Sequence, residues 1–565
     1  MLEKNISKKI TDALLSACRT YFQEKIPKDI KFPENIEIGF QITRDEKHGD
    51  LTTNAAMQFA SIVRRAPHEI GKDLIDYFQV QIKKTDLSAI IGTVELAGGF
   101  INVRLSNVYY QKILHYIYSQ KEHFGKSDTG RGVHINLEFV SANPTGPLTI
   151  AHGRQAAIGD ALSRILRFNG YLVTNEYYLN DFGRQINMLG ESVRIRYRNL
   201  FGLEDPLPED GYMGEYIIDI AKEIKSKKGR QFLEETPQIK HFFRKYAVKY
   251  MMDLIVKDLY DFGVKFDTWT SQEAIEKRKD VEKVICQLKD QGFVYSSEGA
   301  EWFNSMRFGD DKDRVVVKSD GSYTYLAPDM AYHRNKYERG YSRLIDLLGP
   351  DHHGYIKRMK AAVQALGHDA SSLDILIVQL VTLMRGGQSV SMSTRKGEFI
   401  SLREIIDEIG KDVTRFFFLS RRLDSHLDFD IELAKKESTE NPVFYIQYAH
   451  ARICSIKKYS KKSFLSLMFQ KLDLTLLESM QERKLIRKLD EFPFAVKMSA
   501  EVLEPNRLVM YLNELARSFH SFYTECRVVS DDLALSKARL FLVECTRIVL
   551  ANGLALLNIT LPEKM

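Results

Sequence analysis

The stretch that decides the fold is Ser141-Ala142-Asn143-Pro144-Thr145-Gly146-Pro147-Leu148-Thr149-Ile150-Ala151-His152-Gly153-Arg154. It follows HINLEFV (134–140), which reads as a strand. It opens a segment, Gly153 to Phe168, whose apolar positions Ala157, Ala161, Leu162, Ile165 and Leu166 recur with helical period. Asn169-Gly170 is a helix stop. Strand, Gly/Pro loop and helix in that order form the unit of a parallel α/β sheet. Free N–H groups at a helix start, with the helix dipole, favour an anion, and the glycines and prolines fix the turn and let backbone approach a ligand. His152 at the helix mouth is placed to donate to a phosphate oxygen and to stabilise charge developing in phosphoryl or adenylyl transfer. A plain capping role for this histidine is equally compatible with the spacing.

Working outward, Tyr171–Leu179 reads as the next strand. A second α/β set lies far downstream: strand Arg343–Leu348, helix Tyr355–Leu366, strand Leu373–Met384. The charged, mostly helical stretch near 190–300 is expected to be an insertion that splits one nucleotide-binding sheet into two halves. A second loop, Gly386-Gly387-Gln388-Ser389-Val390-Ser391-Met392-Ser393-Thr394-Arg395-Lys396-Gly397, also follows a strand and precedes a helix. Alone it would be a solvated loop. Paired with the first, its hydroxyls and adjacent cations suit closure over a polyphosphate. No Walker-type Gly-x-x-x-x-Gly-Lys-Ser/Thr occurs, which disfavours a P-loop enzyme.

The 565 residues correspond to roughly three to four domains. Residues 1–118 open with an amphipathic helix and close on a strand-turn-strand around Gly98-Gly99. Residues 119–400 carry the α/β pattern and its helical insertion. Residues 401–565 read as helical throughout, with Asn441-Pro442 a good helix start. With 81 basic and 75 acidic residues the net charge of +6 selects no partner class. No apolar run reaches membrane-spanning length, and the amphipathic N-terminus lacks the features of a secretory signal. Five scattered cysteines without Cys-x-x-Cys point to a reducing compartment, hence to the cytoplasm.

The two loops resemble the HIGH and KMSKS signatures of class I aminoacyl-tRNA synthetases. EFVSANPTGPL, SDGSYTYLAPDMAYH, LGPDHHGY, MSTRKGEFISLR, DSHLDFD, NPVFYIQYAHARICS and TRIVLANGLALLNI resemble, in that order, the bacterial-type arginyl-tRNA synthetases. The resemblance implies a split Rossmann-type catalytic core, an N-terminal α+β domain that contacts tRNA, and a C-terminal helical anticodon-binding domain. It implies an arginine–tRNA ligase: the arginine carboxylate attacks the α-phosphate of ATP, giving arginyl-adenylate and pyrophosphate, and the terminal adenosine of tRNA(Arg) then takes the arginyl group. Because the substrates bring the nucleophiles, the protein needs mainly positioning and charge stabilisation. Magnesium accompanies ATP as part of that substrate; no tightly bound metal or organic cofactor is expected, and the family is usually monomeric.

By the same resemblance, Thr149, His152, Arg395 and Lys396 carry catalysis. Pro144, Gly146, Ala151, Gly153, Met392, Ser393, Thr394, His352 and His353 line the ATP site. The chain departs from the family pattern: Thr149 stands for the first histidine, Ala151 for a glycine, and Ser391 and Thr394 for the two lysines. Arg395 or Lys396 would then supply the missing charge. His352-His353 is not read as zinc-binding, because neighbouring histidines point apart and no third ligand stands at zinc spacing. Glu138, Asn143, Tyr325 and Asp329 are placed at arginine. Asp329 is the guanidinium partner, Tyr325 packs on it, and Glu138 with Asn143 holds the α-amino group. Tyr445, Gln447, Tyr448 and Arg452 offer stacking faces and a cation for unpaired bases, with lysines from Lys457 onward adding phosphate-seeking charge. The plainer reading of that segment is a tyrosine-rich core helix with a solvated basic end. Phe100 and Asn102 in the GGFIN turn are D-loop candidates. Two rivals stay open: a nucleotidylyltransferase, which does not need the trailing helices, and a tRNA-binding paralogue without catalysis, prompted by Thr149 and Ser391.

Overall fold

The computed structural model describes residues 2–33, 36, 38–43, 46–389, 400–467 and 472–565. Its centre is a five-stranded sheet in the order Leu373–Ile377, Arg343–Leu348, His134–Glu138, Leu172–Leu179, Thr268–Ser271, with every neighbouring pair parallel. The split α/β core expected from the two distant sets is therefore formed, with His134–Glu138 in the middle. Side chains alternate across that strand. Ile135 and Leu137 share the core that buries Ile158, Ala161, Leu162 and Ile165 of the helix Ile150–Phe168. Asn136 and Glu138 point to the opposite face. There the register sets Glu138 beside Asp346 on one neighbour and Glu176 on the other.

Three expectations change. The stretch near 190–300 is helical only in part. Arg184–Asn199, Glu215–Lys228 and Pro237–Asp261 pack around a core of their own, but Thr268–Ser271 joins the central sheet. Val294–Ser297, Ala300–Phe303 and Arg314–Val317 form a separate antiparallel sheet. Residues 373–384 are not one strand. Leu373–Ile377 stays in the core, whereas Val381–Arg385 pairs parallel with Leu427–Asp430 and antiparallel with Gln388–Ser389. Leu427–Asp430 is thus a strand inside the region read as all helix. These strands have two to five residues, too few for a period of two to stand out from charged surroundings.

The N-terminal part packs helices Leu2–Lys25, Ala55–Val63 and Pro67–Lys83 on an antiparallel sheet that includes Leu51–Thr53, Phe100–Leu105 and Ile91–Ala97. Strand Leu51–Thr53 leads directly into helix Ala55–Val63. Gly98 and Gly99, at φ +57° and +87°, close the hairpin between Ala97 and Phe100, a two-residue turn that needs positive φ at both positions. Helix Asn107–Gln120 leads onward to the catalytic core. The C-terminal bundle contains Pro442–Leu467, Met480–Asp490, Phe492–Glu501, Asn506–Glu525 and Leu533–Leu556. Asn441 Oδ1 accepts the Val443 N–H at 3.2 Å, as expected of a capping asparagine. Asp50 ties the two ends of the chain together, accepting from Arg487 at 2.5 Å, the Tyr110 hydroxyl at 2.9 Å and the Leu105 N–H at 2.7 Å. No helix among the described residues is long and apolar enough to cross a membrane.

Candidate active site

The chain leaves the carboxyl ends of His134–Glu138 and Arg343–Leu348 in opposite directions, and a parallel sheet opens its ligand crevice at such a point. From His134–Glu138 it turns into the Ser141–Arg154 loop. Val140 and Ser141 sit at φ +67° and +38°, which is unusual for a β-branched residue in particular. Neighbours hold them there. The Ser141 hydroxyl donates to Glu138 at 2.9 Å and accepts the Tyr178 N–H at 3.0 Å, and Tyr177 and Tyr216 donate to the Ala142 and Thr145 carbonyls, each at 2.7 Å. Pro144 is buried, while the Asn143 amide faces out and bonds Gln185 at 2.8 Å.

Thr149 caps the helix Ile150–Phe168, and His152 completes a capping box. Its Nδ1 accepts the Thr149 N–H at 3.1 Å. Burial pulls the imidazole down to about 4, so it is neutral at pH 7. With Nδ1 accepting, the ring proton belongs on Nε2, which becomes a fixed neutral donor. Capping and phosphate donation, alternatives on spacing alone, use different nitrogens and coexist. A Cβ on Gly153 would stand 2.6 Å from Leu402 Cδ1, so any larger residue there would push the Leu402 side chain aside. Arg154, fully buried, reaches the carbonyls of Gln379, Ser425 and Arg422 at 2.9, 2.9 and 2.8 Å.

The second signature loop meets the first along its described flank. Thr149 bridges Ser401, and the Leu402 N–H donates to the Leu148 carbonyl at 2.7 Å. Met392, Ser393, Thr394, Arg395 and Lys396 lie outside the described residues. Gly146 packs near Tyr216, and Ala151 is half-buried in the first helical turn. His352 and His353 are exposed in the turn Pro350–Tyr355, which leaves the carboxyl end of Arg343–Leu348. Among the described residues, no group of three or more His, Cys, Asp or Glu is placed to hold a metal ion.

On the polar face of the sheet, helix Leu326–Glu338 brings its own charges. Lys336, fully buried, donates to Glu138 at 2.6 Å and to Asp346 at 2.8 Å. Arg339 holds Glu176 at 2.8 Å, and Tyr332 donates to the same carboxylate at 3.0 Å. His333 spans the Asp329 carbonyl at 2.8 Å and Asp346 at 2.9 Å. Asp329 differs. Burial pushes its carboxyl up, the Tyr355 hydroxyl and His333 pull it down, and Glu138 pushes it up. Among the described residues no lysine or arginine forms an ion pair with it. Tyr325, one turn away, is 89% exposed, so Tyr355 rather than Tyr325 is the ring that touches Asp329 here. Sequence reading missed Lys336, Arg339, Asp346 and Tyr355. Lys336 was detectable as a cation two turns beyond Asp329 on one helix.

The RNA candidates divide. Tyr445, Tyr448 and Arg452 lie on one face of Pro442–Leu467. Arg452 stands 5.0 Å from the ring centroids of both Tyr448 and Tyr523, and the His520 ring lies tilted, 4.5 Å from that of Tyr445. Gln447 points elsewhere, to Asp412 at 3.3 Å and the Thr560 carbonyl at 3.1 Å. Phe100 is exposed at the hairpin tip, whereas Asn102 is buried and accepts from Thr52 at 2.7 Å.

Residues 2–105 match the family described as arginyl tRNA synthetase N terminal domain. Residues 112–418 match tRNA synthetases class I (R), catalytic domain, and 446–565 the DALR anticodon binding domain. The chain is 45% identical over 533 residues to an arginine–tRNA ligase of Syntrophotalea carbinolica, covering 94% of this chain and 95% of that one. It is 41% identical over 565 residues to that of Bacillus subtilis, covering 99% and 100%. The solved arginyl-tRNA synthetase of Thermus thermophilus superimposes with a TM-score of 0.75 at 22% identity over the whole of both chains, a likeness of fold. With three family domains in order and relatives matched along nearly their full length, the chain belongs to the class I arginyl-tRNA synthetases.

Proposed function

We propose the following division of labour for the arginine–tRNA ligase reaction of this enzyme. ATP, carrying magnesium as part of the substrate, lies along the Ser141–Arg154 loop. The helix start and the neutral Nε2–H of His152 face its phosphates, and Thr149 adds a hydroxyl in place of an imidazole. Arginine lies on the polar side of the same strand. Its carboxylate attacks the α-phosphate, the bond to the pyrophosphate oxygen breaks, and pyrophosphate leaves with charge neutralised by Arg395 or Lys396. The terminal ribose hydroxyl of tRNA(Arg) then attacks the arginyl carbonyl and releases AMP. Phe100 is the candidate for the outer corner of the tRNA, and Tyr445, Tyr448 and Arg452 for the anticodon loop; Gln447 and Asn102 are set aside from direct contact. The enzyme works as a cytoplasmic monomer.

One observation carries the amino-acid assignment. Glu138, Glu176 and Asp346 are buried and ion-paired, whereas the half-buried Asp329 beside them has a tyrosine hydroxyl and imidazoles nearby and, among the described residues, no lysine or arginine paired with it. A guanidinium supplies the cation that such a carboxylate requires, and it does so in planar, bidentate form. Removing one partner of a desolvated charge pair costs about 3–5 kcal/mol, so Asp329→Ala should lose at least about a hundredfold in kcat/KM for arginine. A near-normal arginine KM in that variant would show the assignment to be wrong.

A further inference from the structure

The register of the central sheet creates a problem that the protein has to solve. Asp346, Glu138 and Glu176 stand side by side at one level of three adjacent parallel strands, on one face. Like charges directly opposite each other weaken a sheet, and here all three side chains are buried. Lys336 answers two of them. Its fully enclosed ammonium reaches Glu138 at 2.6 Å and Asp346 at 2.8 Å, and it lies 4.4 Å from the Tyr332 ring centroid. Arg339, three residues later, takes Glu176. His333 completes the surroundings of Asp346 and joins it to the Asp329 backbone.

We infer that Lys336 is a positioning residue for arginine selection: it cancels the inner charges of this carboxylate row and fixes Glu138 as an oriented acceptor, leaving Asp329 as the carboxylate that selects the guanidinium. This rests on the assignment of Glu138 and Asp329 to arginine. Lys336 touches neither substrate nor reacting atoms; it acts through Glu138. Glu138 is held from both sides, since its Oε2 receives Lys336 and its Oε1 receives Ser141. Without the lysine, two or three adjacent buried carboxylates share a proton, because like charges at this spacing cannot all ionise. Glu138 then loses both its orientation and its fixed charge state.

The test uses the full-length enzyme with tRNA present and measures KM for arginine and for ATP as a function of pH, with circular dichroism to confirm folding. Lys336→Met should raise the arginine KM at least about tenfold while leaving the ATP KM within about twofold. It should also change the pH profile of arginine kcat/KM, because the row Asp346–Glu138–Glu176, facing Arg339, His333, Tyr332 and Asp329, then holds a shared proton. The double variant Lys336→Met/Asp346→Asn removes a charge of each sign. It should lose that change in pH profile, fold as the parent does, and keep the raised arginine KM, because Glu138 is still unpinned. If the single variant does not fold, the double variant decides. An arginine KM within about twofold of the parent in the double variant, or arginine and ATP KM rising together, overturns the inference. Asp329→Asn run alongside separates the levels. If it leaves arginine KM unchanged, the site assignment itself fails; if it raises KM while the Lys336 variants do not, only the role of Lys336 falls.

Discussion

Replacing Arg154 by methionine keeps most of the stem's volume and removes the guanidinium. In the folded enzyme that group binds three carbonyls at 2.8–2.9 Å, from Gln379, Ser425 and Arg422, and a fourth, Leu380, at 3.4 Å. Bonds from a charged donor contribute about 1.5–3 kcal/mol each, and a carbonyl left buried without a partner costs about 1–3 kcal/mol. Against this, the parent enzyme already bears the cost of enclosing a cation; burial pulls Arg154 down to about 10. Such a shift corresponds to about 3 kcal/mol, so the net loss comes to roughly 3 kcal/mol, concentrated where the nucleotide-loop helix meets the segment entering Val381–Arg385. A protein of several domains does not unfold in one step, so the measurement has to be local. Hydrogen exchange of the Val381–Arg385 amides should speed up by about a hundredfold in Arg154→Met, with a rise in ATP KM and little change in amides of the N-terminal sheet. Exchange of that strand within about threefold of the parent, with an unchanged ATP KM, would refute the idea that Arg154 clamps the nucleotide-loop helix to the segments entering Val381–Arg385 and Leu427–Asp430.

His152→Ala should lower kcat for adenylate formation by about 10²–10³-fold through loss of one phosphate donor; a loss under tenfold would remove His152 from that role. The folded pKa of about 4 lies below the ordinary value of 6.5, so the unfolded chain binds the extra proton first. The stabilisation is therefore complete above pH 6.5 and drains away as the pH falls towards 4, by up to about 3 kcal/mol. Hydrogen-exchange protection of the helix Ile150–Phe168 in parent and His152→Asn should accordingly draw closer as the pH falls, and a difference independent of pH would contradict this. Phe100→Ala should raise the KM for tRNA several-fold, since stacking on a base contributes about 1–3 kcal/mol, and should leave arginine and ATP KM alone. An unchanged tRNA KM would exclude this hairpin tip as a contact.

How far the site was legible follows the range of the interactions. The strand-loop-helix around His152 is local: each turn residue and the helix period lie within about thirty residues, and all appeared as read. The approach of the second loop's flank was not legible from strand order: Val381–Arg385, which precedes that loop, belongs to a sheet other than that of His134–Glu138, and the contact is made by Ser401 and Leu402 at Thr149 and Leu148. The ion pair between Glu138 and Lys336 spans 198 positions and leaves no periodic trace in the sequence. Asn102 and Gln447 misled for a different reason. Both carry amides close in sequence to aromatic rings. Asn102 shares a strand face with Phe100 but lies opposite Thr52 of the neighbouring strand, which ends before Phe100, and helical rotation turns Gln447 toward Asp412. A residue type names a possible contact; its place beside neighbouring elements says whether the contact faces out.

In the proposed arrangement, strand alternation lets one strand serve two substrates. Along His134–Glu138 the side chains alternate, Ile135 and Leu137 to one side and Asn136 and Glu138 to the other. The apolar side seats the helix whose free N–H groups and neutral His152 suit a polyphosphate. The polar side seats the helix that brings Asp329 and Lys336 and suits a ligand with two cationic groups, one of them planar. Neutral donors on one side and compensated carboxylates on the other keep the two fields from cancelling across a single strand. A one-residue slip would drive Glu138 into the core packed by Ile158 and Leu162 and expose Leu137 to Lys336. The buried Lys336 bridge, joining two strands at one register, resists that slip at the level where arginine has to meet ATP.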